Sequence, residues 1–337
     1  MNMKKFVNQI VRVCYPANLY MVLQYLLITD RADYDRTFWF FDDYTPLEFD
    51  KNFKYVFRLE YPRISTGRKI VNYFRFAWFR IVLFRKWPFL RTAEIFMCDH
   101  MDFSWLIALK CKYNLLEDGS GCYRDFTMRS VMSWFRFLLT NIFYYPFPNA
   151  SWGQSSNCQR IYLAHDLPKG LKRKYNDILR IDLYELWRKS SEEKRRFILN
   201  CFGLTTEVMN EIETSSTILL TQPFSEFKLC TESEKIAIYD YIIKKYNLKD
   251  ILIKTHPSER TDYELVFGEK IHVFKHKIPM ELLSFLVSRV KCVVTVSSSS
   301  IAVFERSGIQ KIWVGVEPFP VLMKTVGHVD PPNNIVK

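Results

Sequence analysis

Short apolar runs alternate with amphipathic stretches along most of this chain, and the alternation predicts its elements. Ile10–Tyr15 predicts a first strand and Pro16-Ala17-Asn18 a turn. Leu19–Leu27 then places Leu19, Val22, Leu23 and Leu26 on one face at helical spacing. Thr37–Phe41 predicts a second strand, ending at Asp42-Asp43. Strand, turn, helix, strand is a βαβ unit, so the chain opens an α/β domain. Ala93–Cys98 continues it as a strand, Asp102–Leu109 as a short helix and Tyr113–Leu116 as another strand, while Lys169–Phe202 is charged and mostly helical in pattern.

The rhythm restarts after Asn200–Thr214, a stretch of threonines, acids and Gly203 that marks the boundary between domains. Thr217–Thr221 predicts a strand, and Glu232–Tyr246 an amphipathic helix with Ile236, Ile238, Tyr239, Ile242 and Ile243 inward. Strands follow at Ile251–Lys254 and His272–Phe274, and Pro279 opens a helix over Met280–Phe285. Val290–Val296 is a β-branched strand followed by Ser297–Ser300. Ile301, Ala302, Phe304 and Ser307 then continue at helical spacing to Gly308, and Lys311–Val316 is a last strand. The expected division is a first domain over 1–205, a second over 206–320, and a proline-containing tail over 321–337 that packs back across the first domain.

Composition narrows the class. The 337 residues are 48% hydrophobic and 25% charged, enough to bury two cores and too apolar for disorder. A formal charge of +12 points to an acidic partner: a phosphorylated substrate, an anionic membrane surface or nucleic acid. The eight cysteines form no CxxC pair, which argues against zinc and fits buried thiols in a reducing cytoplasm. Neither a secretory leader nor an apolar stretch of about 18 residues is visible, so the expectation is a chain that does not span a membrane. Arg68–Leu90 mixes aromatics with Arg and Lys and contains no acid. It reads as a core helix or as a segment lying on anionic lipid, with single-stranded nucleic acid a weaker option. Ser130–Tyr145 repeats the character, with Trp134, Phe135, Phe137, Phe143 and Tyr144.

Four groups of residues have the makings of a site. Glu117-Asp118-Gly119 directly follows a buried strand, and a carboxylate there can accept a substrate proton, although Asp-Gly turns are common. His256-Pro257 ends the Ile251–Lys254 strand. Proline holds the preceding backbone extended, and a histidine there can donate a hydrogen bond or a proton to a phosphate. Lys254 and Arg260 add positive charge nearby. Glu281 stands at a helix start, where a carboxylate is favoured electrostatically and can also take ribose hydroxyls. Ser297, Ser298, Ser299 and Ser300 sit between a strand and a helix start, where hydroxyls and unpaired N–H groups suit a phosphate; an ordinary N-cap needs only one of them.

The order of these groups resembles bacterial sialyltransferases with a (D/E)(D/E)G motif, an HP motif and a serine motif, and within them glycosyltransferase family 52, the lipooligosaccharide sialyltransferases. Cys14-Tyr15-Pro16 and the Ile218–Pro223 run ILLTQP before Ser225-Glu226 add to the resemblance, which covers about Val11 to Gly315. It implies a GT-B fold, two Rossmann-like α/β domains facing across a cleft. It also implies an inverting transfer of sialic acid from CMP-sialic acid to a galactose-type hydroxyl of a glycolipid or oligosaccharide, with no metal and no cofactor. By the family's pattern Asp118 is the base, in the turn made with Glu117 and Gly119. His256, with Pro257, meets the CMP phosphate, Glu281 holds the ribose, and the serines bind phosphate. Some members carry an acid after the first strand of the second domain, which makes Glu226 the rival base. The implied setting is the cytoplasmic face of a bacterial inner membrane, peripherally bound, with no nucleic-acid partner. The alternatives are a GT-B enzyme using a Kdo or hexose donor, and a non-catalytic basic protein that binds membrane or nucleic acid.

Overall fold

Runs such as Thr37-Phe38-Trp39-Phe40-Phe41, buried at every position, can only be strands covered on both faces, and both sheets of this protein are wholly parallel. In the computed structural model, residues 9–42, 45–59, 82–108, 110–123, 152–168, 170–171, 177–268, 271–304 and 308–332 are described. The chain divides into two compact units, Met1–Ile198 and Leu199–Lys337.

The first unit carries seven strands: β1 (Arg12–Tyr15), β2 (Thr37–Phe41), β3 (Tyr55–Arg58), β4 (Glu94–Met97), β5 (Tyr113–Leu116), β6 (Cys158–Leu163) and β7 (Asp177–Arg180). Their order is β3-β2-β1-β4-β5-β6-β7. The chain winds outward from β1 in one direction and then returns to wind the other way from β4. The switch between β1 and β4 is where such sheets bind ligands, at the carboxyl ends of the strands. Asn18 starts the first helix, Leu19–Ile28, by accepting the Met21 N–H at 2.9 Å. The core beside the sheet is aromatic: Tyr15, Phe38, Phe40, Trp87, Phe89 and Tyr113 lie in one cluster with Val13, Ile95 and Met97.

The second unit carries β8 (Thr217–Leu220), β9 (Ile251–Lys254), β10 (Ile271–Val273), β11 (Cys292–Thr295) and β12 (Gln310–Trp313), in the order β10-β9-β8-β11-β12. Its switch lies between β8 and β11. The helix Glu232–Lys245 begins with a capping box between Thr231 and Glu234 and buries Ile238, Tyr239 and Ile242. Ile236 and Ile243 are only half-buried, and the fully buried Lys235 takes an inward position no apolar pattern foretells.

Several expectations are corrected here. Strands β3, β6 and β7 were not expected. Exposed Gln159 and Arg160 interrupt the apolar signal of β6, and β7 is exposed throughout, so Lys169–Phe202 is not simply helical. The serine stretch leads into a 3₁₀ turn over Ser299–Val303 rather than an α-helix. Of the basic aromatic segment, Leu83, Trp87, Phe89 and Leu90 are core residues of the first unit, which favours the core reading for that part. Residues 68–81 of that segment and Ser130–Tyr145 fall outside the described residues. The supposed tail forms a helix, Pro320–Thr325, whose Leu322 is buried in the core of its own unit. No helix among the described residues is long and apolar enough to cross a membrane.

Candidate active site

The carboxyl edge of the first sheet gathers side chains from three strand ends. β5 runs into Glu117 and Asp118, and Gly119 turns the chain with φ of 77°. The adjacent carboxylates divide the work. Glu117 is buried; its Oε2 accepts the Tyr123 hydroxyl at 2.8 Å and the Ala164 N–H at 2.6 Å, and its own N–H donates to Gln24 at 3.1 Å. Burial pushes its carboxyl up, and those bonds offset the rise only in part. Asp118 points elsewhere. Its Oδ1 accepts from Asn18 Nδ2, and its Oδ2 lies 2.8 Å from His100 Nε2. Asn18 therefore caps a helix with its oxygen and holds Asp118 with its nitrogen, tying the end of β1 to the end of β5.

His100 follows β4, and its ring stacks on Trp152 with centroids 4.1 Å apart and planes 7° apart. Next to it Asp99 is fully buried. Its carboxylate accepts the Trp152 N–H at 2.6 Å, the Gly153 N–H at 2.8 Å and the Tyr113 hydroxyl at 2.7 Å. Burial raises Asp99 even against these donors.

The carboxyl edge of the second sheet has a different construction. β9 ends in Lys254-Thr255-His256-Pro257, and the His256 N–H donates to Glu259 Oε2 at 2.7 Å. The same oxygen accepts the Thr221 hydroxyl at 2.7 Å, and Oε1 accepts the Tyr263 hydroxyl at 2.7 Å. Glu259 thus fastens the turn after β9 to the end of β8; burial pushes its carboxyl up. The Ser258 N–H donates to His256 Nδ1 at 3.1 Å, which makes Nδ1 an acceptor and puts the ring proton on Nε2 of an exposed side chain. Lys254 rests 5.6 Å from the Phe274 ring centre, and burial lowers its ammonium to about 8.

Two strands from β9, across β8, the serine turn is held by Gln222 at the tip of β8. Gln222 Oε1 accepts both the N–H and the hydroxyl of Ser297, at 3.0 and 2.9 Å. The Ser298 N–H donates to Thr295 Oγ1 at 3.0 Å. The strands that lead into His256 and into these serines, β9 and β11, are two strand spacings apart, about 10 Å, and both turns leave the same edge. Glu281, half-buried, lies in the first turn of the helix Met280–Leu286.

Glu226 is committed to structure. Both its oxygens accept from Lys235 Nζ, at 3.0 and 2.9 Å, and Oε1 also accepts the Arg260 N–H at 2.7 Å. Lys235 is fully buried and also meets Glu232 at 3.2 Å. Burial alone would push Glu226 up, but the bonds from Lys235 and the Arg260 N–H outweigh it and hold the carboxyl down to about 2. Asn18, His100, Trp152, Gln222 and Glu259 were not among the residues singled out from sequence. Each joins the residues at the sheet edge of its own unit through that sheet's topology. Two open depressions lie at the opposite, amino edges of the sheets, one beside Ser216, Asp250 and Lys291 and one beside Arg91, Glu94 and Lys112, away from all these residues.

Comparison with known proteins bears on the family and the fold. The sequence profile described as glycosyltransferase family 52 matches residues 88–314. An uncharacterized protein of Haemophilus influenzae is 28% identical over 322 residues, covering 93% of this chain and 97% of its own. Among solved structures, the GT-B domain of a Photobacterium damselae sialyltransferase aligns with a TM-score of 0.54 at 15% identity, over 95% of this chain and 97% of its own. A Photobacterium 2,6-sialyltransferase, solved with the donor product CMP and the acceptor lactose, aligns with a TM-score of 0.57 at 11% identity, over 89% of this chain and 70% of its own.

Proposed function

This chain belongs to glycosyltransferase family 52, and from that premise we propose that it is an inverting sialyltransferase moving sialic acid from CMP-sialic acid to a galactose-type hydroxyl of a surface glycan. The observation that carries the reading is the edge of the second sheet. There an exposed imidazole with its proton on Nε2 and a hydroxyl-bearing turn flank one strand tip at a topological switch. That arrangement suits a departing phosphate. The solved Photobacterium enzyme that shares this fold holds CMP and lactose, which supports the same pair of substrate classes here.

In this reaction the bond between the anomeric carbon and the phosphate oxygen breaks, and the bonding pair leaves with CMP. The acceptor oxygen attacks the opposite face and loses its proton to Asp118. The anomeric carbon is tertiary and carries a carboxylate, so the transition state has oxocarbenium character, and negative charge grows on the phosphate. His256 Nε2–H donates a hydrogen bond to that charge, and Ser298, Ser299 and Ser300 supply hydroxyls, while the Ser297 hydroxyl is spent on Gln222 and holds the turn. Glu281 takes the ribose. Asp118 is preferred over Glu226 as the base because Glu226 is saturated by a buried ammonium and a backbone N–H. A lipid-linked acceptor at a cytoplasmic membrane surface is the proposed setting, in keeping with the formal charge of +12.

Nucleotide release measured against a panel of donors tests the proposal. CMP should appear with CMP-sialic acid in the presence of a lactose-terminated acceptor. Release of UDP from a UDP-hexose, or of CMP from CMP-Kdo alone, would move the enzyme to another donor. No release from any donor would favour a binding protein.

A further inference from the structure

The turn after β5 reads Glu117-Asp118-Gly119-Ser120-Gly121, and its second glycine has a steric reason to be glycine. A Cβ built on Gly121 would lie 2.2 Å from Cη2 and Cζ3 of the Trp152 indole, far inside contact distance of a rigid ring. The indole therefore lies against Gly121 while it also stacks on the imidazole of His100 at 4.1 Å. Trp152 itself holds a left-handed backbone with φ of 60°, which a bulky residue adopts only under constraint. The constraint is visible: the buried Asp99 carboxylate takes the N–H groups of Trp152 and Gly153 in succession. His100, thus fixed, presents Nε2 to Asp118 Oδ2 at 2.8 Å.

We propose that His100 is the positioning residue of the base: braced by Trp152, which Asp99 anchors, it donates Nε2–H to Asp118 and aims the other carboxylate lone pairs at the acceptor hydroxyl. The inference rests on the reading of Asp118 as the base. Two donors with different leverage hold that carboxylate. Asn18 is fixed by its helix cap, and His100 by a ring stack on an indole that abuts Gly121. A carboxylate so gripped starts close to reacting geometry, and small misplacements of a reacting group cost rate rather than binding. His100 therefore acts on turnover and leaves the affinity for the donor alone.

Two substitutions separate the donated hydrogen bond from the stack. His100→Phe keeps a ring against Trp152 and loses the N–H. His100→Gln keeps an N–H for Asp118 and loses the stack. With the full-length enzyme, CMP-sialic acid and a lactose-terminated acceptor, His100→Phe should lower kcat by about 30- to 100-fold. KM for CMP-sialic acid should stay within about twofold, and His100→Gln should regain most of the lost turnover. Gly121→Ala, which drives the indole off its seat, should lower kcat by about tenfold with the same unchanged KM. Wild-type turnover in His100→Phe beside an inactive Asp118→Asn overturns the proposal and leaves the base assignment standing. Wild-type turnover in Asp118→Asn removes the base assignment and this proposal together. Circular dichroism melts confirm that each variant compared is folded. Should His100→Phe fail to fold, His100→Gln against Gly121→Ala carries the test, and equal wild-type turnover in both overturns it.

Discussion

Asp118 and Glu226 are both carboxylates just beyond the tip of a central strand, one in each unit, yet their surroundings give them opposite work. Asp118 accepts from an amide and an imidazole, and none of its described partners carries a permanent charge. Glu226 is clasped by the fully buried Lys235 and a backbone N–H, and it helps pin the turn that bears His256. A carboxylate needed to take a proton must be oriented without being neutralised by a fixed cation. One needed to hold a loop is better locked into an ion pair. The difference argues that a strand-tip acid is read by its partners and not by its position alone.

The sharpest way to break this comparison is to remove the two charges side by side. Asp118→Asn should cut turnover by about 10³-fold, within the range of a lost general base. Glu226→Gln should keep turnover within about tenfold of wild type in steady-state assays. The reverse pattern would exchange the two roles.

Next in size is the stability carried by the Glu226–Lys235 pair. Lys235→Met leaves a nearly buried carboxylate without its cation and should cost about 3–5 kcal/mol in urea unfolding. The pair also predicts a pH dependence. Glu226 holds its charge down to about 2 in the folded chain, against an ordinary value of 4.5. Its contribution is therefore complete above pH 4.5 and is lost as pH falls toward 2. Glu226→Gln should flatten that part of the stability profile.

His256→Ala should lower turnover by about 10²-fold by removing a donor to the leaving phosphate. The smallest expected effect belongs to the support of the serine turn. Gln222→Ala deletes the acceptor of both Ser297 bonds and should cost about 1–3 kcal/mol by differential unfolding, with a raised KM for the donor.

Much of this layout could be read from the chain before any coordinates. Thr37–Phe41, Ile251–Lys254 and Tyr113–Leu116 declare themselves because strands buried on both faces are mostly apolar, with few polar positions such as Asn114. β7 could not be read that way, since an exposed edge strand with Asp177 and Arg180 has no apolar signature. The Glu-Asp-Gly, His-Pro and serine motifs were visible as short strings at strand ends. Their partners were not. Asn18 reaches Asp118 across 100 positions of sequence, and Gln222 reaches Ser297 across 75. Such pairings exist only once parallel crossovers bring the strand tips to a common edge. Lys235 hid for another reason: a lysine in an amphipathic helix is expected to face water, and here Glu226 of a neighbouring loop and Glu232 of the helix's own first turn draw it inward.

The central claim is transfer from CMP-sialic acid, and one mass-spectrometric measurement addresses it directly. Purified protein incubated with CMP-sialic acid and a lactose-terminated acceptor should add a single sialyl residue to the acceptor, and His256→Ala should slow its appearance about 10²-fold. An acceptor left unmodified by CMP-sialic acid, yet extended when another nucleotide sugar is supplied, would contradict the account.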